Sequence, residues 1–197
     1  MRVVVDNGPG KGRRAPGAKR LRPATPATTL RAAVAADAPA LHALIAAYLE
    51  EGRLLPRPLG DLADHAPRFV VAMQGERIVG CAELAPLSAS VAEVRSLVVA
   101  REARQSGLGY RMVDELGRRA RRQGFARLCA FAHDPRFFVR LGFSIVPHTW
   151  VPEKISHDCH SCPLFRNCGQ YAIVLDLARA QALTGAATHA SAGSHRG

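Results

Sequence analysis

The chain has 197 residues, 48% of them apolar and 22% charged, with a mean hydropathy of −0.02 and a formal net charge of +11. That profile describes one compact domain, with or without a tail, and excludes a disordered, collagen-like or membrane-spanning chain. No stretch approaches the ~18 apolar residues of a membrane helix and the first residues lack the apolar core of a secretory signal, so the expected location is cytoplasmic, with the cysteines as thiols.

The charge is unevenly spread. Residues 1–31 hold eight basic side chains against Asp6 alone, whereas the other 166 residues carry 19 basic and 15 acidic ones. A basic face on a folded domain is the usual footprint of nucleic-acid recognition, while a stretch such as G-P-G-K-G-R-R-A-P-G reads as a solvated extension or a start set too far upstream. We therefore expect a disordered basic tail over 1–27 and not a nucleic-acid partner, weak contact of the tail with a polyanion being the alternative. Beyond Lys11 and Lys19 in that tail, Lys154 is the only lysine, a sign that an ammonium is wanted there.

After the tail, T-L-R-A-A-V-A reads as a first strand. Asp37 followed by Pro39 is a helix start, an acceptor side chain before a residue with no amide hydrogen to satisfy. Leu41, Leu44, Ile45, Tyr48 and Leu49 then make one apolar stripe that ends at Gly52. In R-L-L-P-R-P-L-G, Pro56 and Pro58 forbid a helix and hold Arg57 in a loop. Three apolar runs follow, F-V-V-A-M, I-V-G-C-A-E-L and V-A-E-V-R-S-L-V-V, with turn-like separators, which predicts an antiparallel meander. The next helix places Met112, Val113 and Leu116 inside and Arg118, Arg119, Arg121 and Arg122 on a solvated face, ending near Gly124. Then come a strand (A-R-L-C-A-F-A), a short helix (P-R-F-F-V-R-L), a strand (G-F-S-I-V-P), an irregular Cys/Pro segment and a last strand (Y-A-I-V-L-D-L).

The chemistry concentrates where the third run of the meander feeds the long helix through Arg104-Gln105-Ser106-Gly107-Leu108-Gly109. Two glycines let the backbone turn tightly and aim successive amides at one place, the arrangement that binds phosphate oxygens at a helix N-terminus. Glycines alone also fit an ordinary helix entry. The segment has neither the Gly-Lys-Ser/Thr of a P-loop nor the third glycine of a dinucleotide fingerprint.

Taken together, the strand, the R-x-x-G-x-G turn, the helix, the following strand, the short helix and L-G-F resemble the GNAT acetyltransferase superfamily from about Thr29 to Leu177. The resemblance implies an α/β fold over 28–178, a mixed, mostly antiparallel sheet with a splayed centre and helices on both faces, and a frayed tail over 179–197. It implies acetyl-coenzyme A as co-substrate: Leu97 and Val99 facing the pantetheine arm, Arg104, Gln105, Ser106, Gly107, Leu108 and Gly109 around the pyrophosphate, and an amide near Val98 polarising the thioester carbonyl. Many members protonate the leaving thiolate with a tyrosine on the short helix; here Phe137 and Phe138 stand there instead, so reprotonation by solvent is the simplest expectation.

Five separated pieces, G-R-L-L-P-R-P, G-C-A-E-L, A-E-V-R-S-L-V-V, P-R-F-F-V-R-L-G-F and V-P-E-K-I-S-H-D-C-H-S-C-P-L-F-R-N-C, are similar to the stand-alone acetyltransferase form of N-acetylglutamate synthase, which opens arginine biosynthesis. That likeness implies L-glutamate as acceptor, Glu93 and Ser96 as the catalytic positions with Glu93 as general base, and Arg57 and Lys154 as cations for the acceptor's carboxylates. Glu83 is the competing base. Arg95 is a further substrate-side candidate: under strict alternation it shares a face with Glu93 and not with Ser96, and a bulge would break that parity. Longer members carry an amino-acid-kinase-like domain that binds arginine; this chain is too short to hold it, so any arginine feedback is expected to work differently.

Cys159, Cys162 and Cys168, with His157 and His160 nearby, are expected as a reduced, loop-packing cluster, a metal site completed by a histidine being the alternative; no metal is assigned. Cys81 and Cys129 read as small core residues, and His133 stands open between a structural and a functional role. A homo-oligomer is left open. Two other functions compete with glutamate acetylation: acetylation of a different amine, and a non-catalytic coenzyme-binding module.

Overall fold

The structure, a computed structural model, describes residues 27–52 and 54–178. The two expected tails, Ala27 apart, lie outside the described residues. The apolar runs form seven strands, β1 (Thr28–Ala32), β2 (Phe69–Gln74), β3 (Arg77–Pro86), β4 (Val91–Val99), β5 (Arg127–Ala132), β6 (Ser144–Val146) and β7 (Tyr171–Asp176), joined in one sheet of order β1-β2-β3-β4-β5-β7-β6. Every neighbouring pair is antiparallel except β4 and β5. Parallel strands need a long crossover, and α4 (Leu108–Arg122) supplies it.

Both faces of the sheet are covered, as expected of the α/β class. Val70, Ala72, Ala82, Leu84, Ala92 and Val94 share a core with Leu108, Met112, Val113, Leu116 and Ala120 of α4. On the other face, Phe69, Val71, Cys81 and Val98 pack against α1 (Ala38–Ala46) through Leu41 and Ile45, and against α3 (Leu59–Asp64) through Leu62. Each such fully buried aliphatic contributes about 1.5–3 kcal/mol relative to exposure. On the outside of α4, Arg118 and Arg122 pair with Asp114 and Glu115 of the same helix on the solvated face expected of it, whereas Arg121 is half-buried and Arg119, 15% exposed, pairs with Glu115 and donates to the Phe69 carbonyl at 3.2 Å. Gly124 at φ 83° closes the helix, and Phe125 N–H donates to the Ala120 carbonyl at 3.0 Å. Among the described residues no helix is long and apolar enough to cross a membrane.

Three local expectations are corrected. The apolar stripe is not one helix: α1 stops at Ala46 and α2 (Leu49–Gly52) follows after a turn. Asp37 does not cap α1 through its side chain; the carboxylate turns back to accept from the Val34 amide at 2.8 Å and from Arg31. The Cys/Pro segment begins with α6 (Pro152–His157), which carries no fully buried residue and therefore no apolar periodicity to read. A last short helix, α5 (Arg136–Val139), follows β5.

Candidate active site

The centre of the sheet opens along β4. This strand pairs with β5 only from Val91 to Val94, against Arg127 to Ala130, so the backbone from Arg95 to Val99 runs free of β5. On the other side, the register with β3 shifts between the pairs Glu83↔Arg95 and Cys81↔Val98, which leaves Ser96 and Leu97 together opposite Ala82. This is a bulge, and Ser96 adopts φ 48°, a left-handed conformation that is uncommon for a residue with a Cβ. Side-chain parity changes across it: Ala92 and Val94 face the α4 core before the bulge, while Leu97 and Val99 do so after it.

The bulge sets what the expected coenzyme strand presents. The side chains of Leu97 and Val99 pack half-buried on the α4 core and Val98 is 4% exposed in the opposite core, so beside two half-exposed side chains these residues offer backbone groups to the gap. Hydrogen bonds of an added strand need only those groups. The bulge also brings Ser96 onto the Glu83 face, where Nη1 of Arg57 donates to both Glu83 Oε2, at 2.7 Å, and Ser96 Oγ, at 3.3 Å.

At the end of β4 the residues fit a phosphate-bearing ligand. Gln105 and Gly107 take φ 62° and 74°, and a Cβ built on Gly107 would meet nothing within 4 Å, so the space before the helix is open. The first ladder bond of α4 runs from Arg111 N–H to the Gly107 carbonyl, leaving the amides of Leu108, Gly109 and Tyr110 without an intrahelical acceptor at the positive end of a 15-residue helix. Gly109 packs closely, because a Cβ there would lie 3.3 Å from the Phe137 ring and the ring would have to give. Ser106 braces the turn by donating to the Ala103 carbonyl at 2.7 Å.

The Arg104 side chain has partners of its own within the chain. Its Nε donates to the Val99 carbonyl at 3.1 Å, its guanidinium pairs with Glu51 and lies 5.2 Å from the Tyr48 ring centroid. Tyr48 also accepts from the Arg101 amide at 2.9 Å. The turn before α2 presents Tyr48 to this loop and α2 presents Glu51, so the Arg104 side chain fastens the loop to that segment.

The acceptor side is a network of charges on the sheet face opposite α4. Glu93, 3% exposed, receives Lys154 Nζ on both oxygens, at 2.8 and 2.9 Å, and Arg95 Nε on Oε2 at 2.6 Å. Lys154 also reaches Asp158, at 2.7 Å, and the Phe131 ring, 5.2 Å from its centroid. Arg95 bonds Asp158 in turn, which closes a ring of two cations and two carboxylates. Burial opposes ionisation of Asp158, but the hydrogen bonds from Lys154 and His157 and the nearby charges hold its carboxyl below the usual carboxylate range. For Arg95, desolvation is outweighed by Glu93 and Asp158, which raise its already high value. Beside this ring, Glu83 is 1% exposed, bonded by Arg57 and 4.0 Å from His65 Nδ1.

The structure thus brings together Arg57, Glu83 and Ser96 in one group and Arg95, Glu93 and Lys154 in another, the two touching through the Glu83↔Arg95 cross-strand pair. Asp158 joins them unannounced by the sequence reading. Its signal was the Lys154 to Asp158 spacing of one helical turn behind Pro152, legible only once α6 is known to be a helix. Cys159, Cys162 and Cys168 are half-buried thiols, and among the described residues no three His, Cys, Asp or Glu side chains converge as a metal site. Phe138 is core, whereas Phe137 stands beside Gly109 and Val99 at the edge of the gap. His133 lies at the end of β5 with its ring 3.6 Å from where a Gly169 Cβ would be.

Comparison with known proteins agrees with this geometry. The pattern of the acetyltransferase (GNAT) family matches residues 36–143. The chain is 31% identical over 150 residues to an uncharacterised N-acetyltransferase of Chlorobaculum tepidum, covering 76% of this chain and 97% of that protein. It is 30% identical over 135 residues to the amino-acid acetyltransferase of Neisseria meningitidis, covering 68% of this chain and 31% of that protein. N-acetylglutamate synthase from Neisseria gonorrhoeae, complexed with coenzyme A and N-acetyl-glutamate, superposes with a TM-score of 0.68 at 28% identity over 76% of this chain and 35% of that one. The chain therefore spans about a third of the length of these two Neisseria proteins. Fold, splayed strand, amide-rich turn and sequence likeness converge on one statement: the chain belongs to the GNAT family of acetyl-coenzyme A-dependent N-acetyltransferases.

Proposed function

We propose that the protein transfers the acetyl group of acetyl-coenzyme A to the α-amine of L-glutamate, the step that opens arginine biosynthesis. The observation that carries the reading is the acceptor-side network, in which Arg57, Arg95 and Lys154 alternate with Glu83, Glu93 and Asp158 beside the bulge of β4. A dicarboxylate amino acid presents two anions and an ammonium, and it can exchange into such a network charge for charge. Arg suits the carboxylates because its planar fork can give two parallel hydrogen bonds. Similarity to the Neisseria enzyme that holds N-acetyl-glutamate supports the same choice of acceptor.

In this reading each residue has a stated task. When bound, acetyl-coenzyme A supplies an electrophilic thioester carbonyl. The amides of Gly107, Leu108 and Gly109 hold its phosphates, and the free edge of β4 pairs with its arm. The Leu97 N–H stabilises the negative charge that develops on the acyl oxygen. Arg57 and Lys154 hold the acceptor's carboxylates, with Arg95 keeping Glu93 and Asp158 in place. Glu93 takes the proton that makes the amine nucleophilic, through water because its two oxygens are already bonded by cations.

The deciding experiment measures thiol release from acetyl-coenzyme A by the purified protein with each of the twenty amino acids, with a peptide panel and with no acceptor. Release confined to glutamate is the expected result. Release with another amine transfers the acceptor site to that amine and discards glutamate. Coenzyme binding without release under any condition replaces the enzyme with a coenzyme-binding module.

A further inference from the structure

Cys81 has no task in the reaction described above, yet it lies directly beneath the bulge. It sits on β3 opposite Val98, is 0% exposed in the core covered by α1, and its thiol donates to the Ser96 carbonyl at 3.4 Å. That carbonyl belongs to the peptide that joins the two bulged residues, where the regular β3–β4 register is interrupted. A peptide bond is planar, and no cis bond is present among the described residues, so the Ser96 C=O and the Leu97 N–H are two ends of one rigid plane pointing in opposite directions. A thiol that keeps the carbonyl on the β3 side keeps the Leu97 N–H on the other side, where β4 has parted from β5.

We propose that Cys81 is a positioning residue for acetyl transfer: by holding the Ser96 carbonyl, its S–H fixes the Leu97 N–H toward the acyl oxygen. Burial, with the Glu83 charge adding to it and the Val98 amide and Arg57 opposing, pushes the thiol up to about 12, so it remains a donor at any working pH. Apart from Arg57 on the Ser96 hydroxyl, regular pairing does little to hold this peptide at φ 48°, because the bulge interrupts the register with β3 on one side and the splay removes β5 on the other. The inference rests on the acetyltransferase activity and not on the choice of glutamate.

Three variants separate the hydrogen bond from the packing. Cys81→Ala removes the donor and leaves space, Cys81→Val fills the space without a donor, and Cys81→Ser keeps a donor. The readouts are kcat and the acetyl-coenzyme A KM with whichever amine is accepted, and the infrared carbonyl band of bound [1-13C]acetyl-coenzyme A. The Ala and Val variants should lose about tenfold in kcat, less than the ~10²–10³-fold cost of deleting an oxyanion donor outright. KM should stay within twofold, the carbonyl band should move toward its position in free coenzyme, and Cys81→Ser should keep both readouts near the native values. Unchanged kcat and band in the Ala or Val variant, or a Ser variant as impaired as Ala, overturns the role. Should Cys81→Ala fail to fold, Cys81→Val carries the test. If no amine is acetylated, the band alone decides, because it needs only bound coenzyme, and failure of the glutamate reading is then told apart from failure of this one.

Discussion

The two halves of the site are built in opposite ways. The coenzyme half, as proposed, is one continuous stretch, β4, a turn and α4, in which Gly107 and the first amides of the helix offer backbone atoms. The acceptor half is assembled from side chains of three distant segments: Arg57 from a loop, Glu83, Glu93 and Arg95 from neighbouring strands, and Lys154 and Asp158 from the α6 region, with partners up to 63 positions apart. A ligand shared by a whole family can be met by main chain, whose geometry tolerates changes of side chain. A ligand particular to one enzyme needs side chains, and their charges must be neutralised by one another while the site is waiting.

That contrast is open to direct attack, first at its most reactive point. Glu93→Gln should lower kcat by about 10²-fold, in the range of a lost general base, with the acetyl-coenzyme A requirement little changed. The substitution also releases Lys154 and Arg95, so the decisive record is the pH profile, whose acid limb should flatten. Turnover that is unchanged across the pH range would shift the base to Glu83 or to solvent. The matching blow to the coenzyme half is Gly107→Val. A β-branched residue at φ 74° is strained, which costs of order 1–3 kcal/mol, and it puts methyl groups where a phosphate must approach. Calorimetry should show coenzyme affinity falling by about 30-fold, with glutamate KM moving much less. Equal losses on both ligands would mean that the halves are not separate.

How far each half could be read in advance follows the same division. The order of the strands, the crossover helix, the antiparallel meander and the glycine turn were legible, because each depends on periodicity or on glycines a few residues apart. The bulge at Ser96 was not, since it exists only in the pairing of β4 with β3 and leaves no mark in the sequence of β4 alone. Its consequence, that Leu97 and Val99 both turn their half-buried side chains to the α4 core, was therefore not legible either. The side-chain partners of Arg104 were not legible for a related reason: Tyr48 and Glu51 lie some fifty positions away, in and beyond a helix break that an unbroken apolar stripe concealed. Glu93, Arg57 and Lys154 were picked out by family likeness and do lie within one network, but the carboxylate that joins Lys154 to Arg95, Asp158, escaped because α6 has no apolar face.

A gentler probe of the acceptor half is Arg57→Ala. Charge-assisted hydrogen bonds are worth about 1.5–3 kcal/mol, and Arg57 already spends part of its capacity on Glu83, so glutamate KM should rise about tenfold while coenzyme affinity holds. The variant leaves Glu83 buried without its cation, and a fall in melting temperature should accompany the kinetic change. An unchanged acceptor preference would remove Arg57 from substrate recognition and leave it as the partner of Glu83.

The smallest expected effect concerns the pH dependence of stability, and it isolates Asp158 from the chemistry. Its folded carboxyl titrates below its ordinary value, so the unfolded chain takes up a proton there first as the solution is acidified. The stabilisation is therefore complete above the unfolded value of about 3.9 and is lost as pH falls through the lower folded value. Asp158→Asn should lower the unfolding free energy by about 1 kcal/mol at neutral pH, the size of one net hydrogen-bonded contact. The difference from the native protein should begin to narrow as pH falls below about 3.9, where the unfolded chain takes up its proton, and should close only below the lowered folded value. Denaturant titrations at pH 7 and pH 3 supply the comparison. A gap that persists unchanged at pH 3 would show that the variant disturbs α6 through packing and not through the charge that ties Lys154 and Arg95 together.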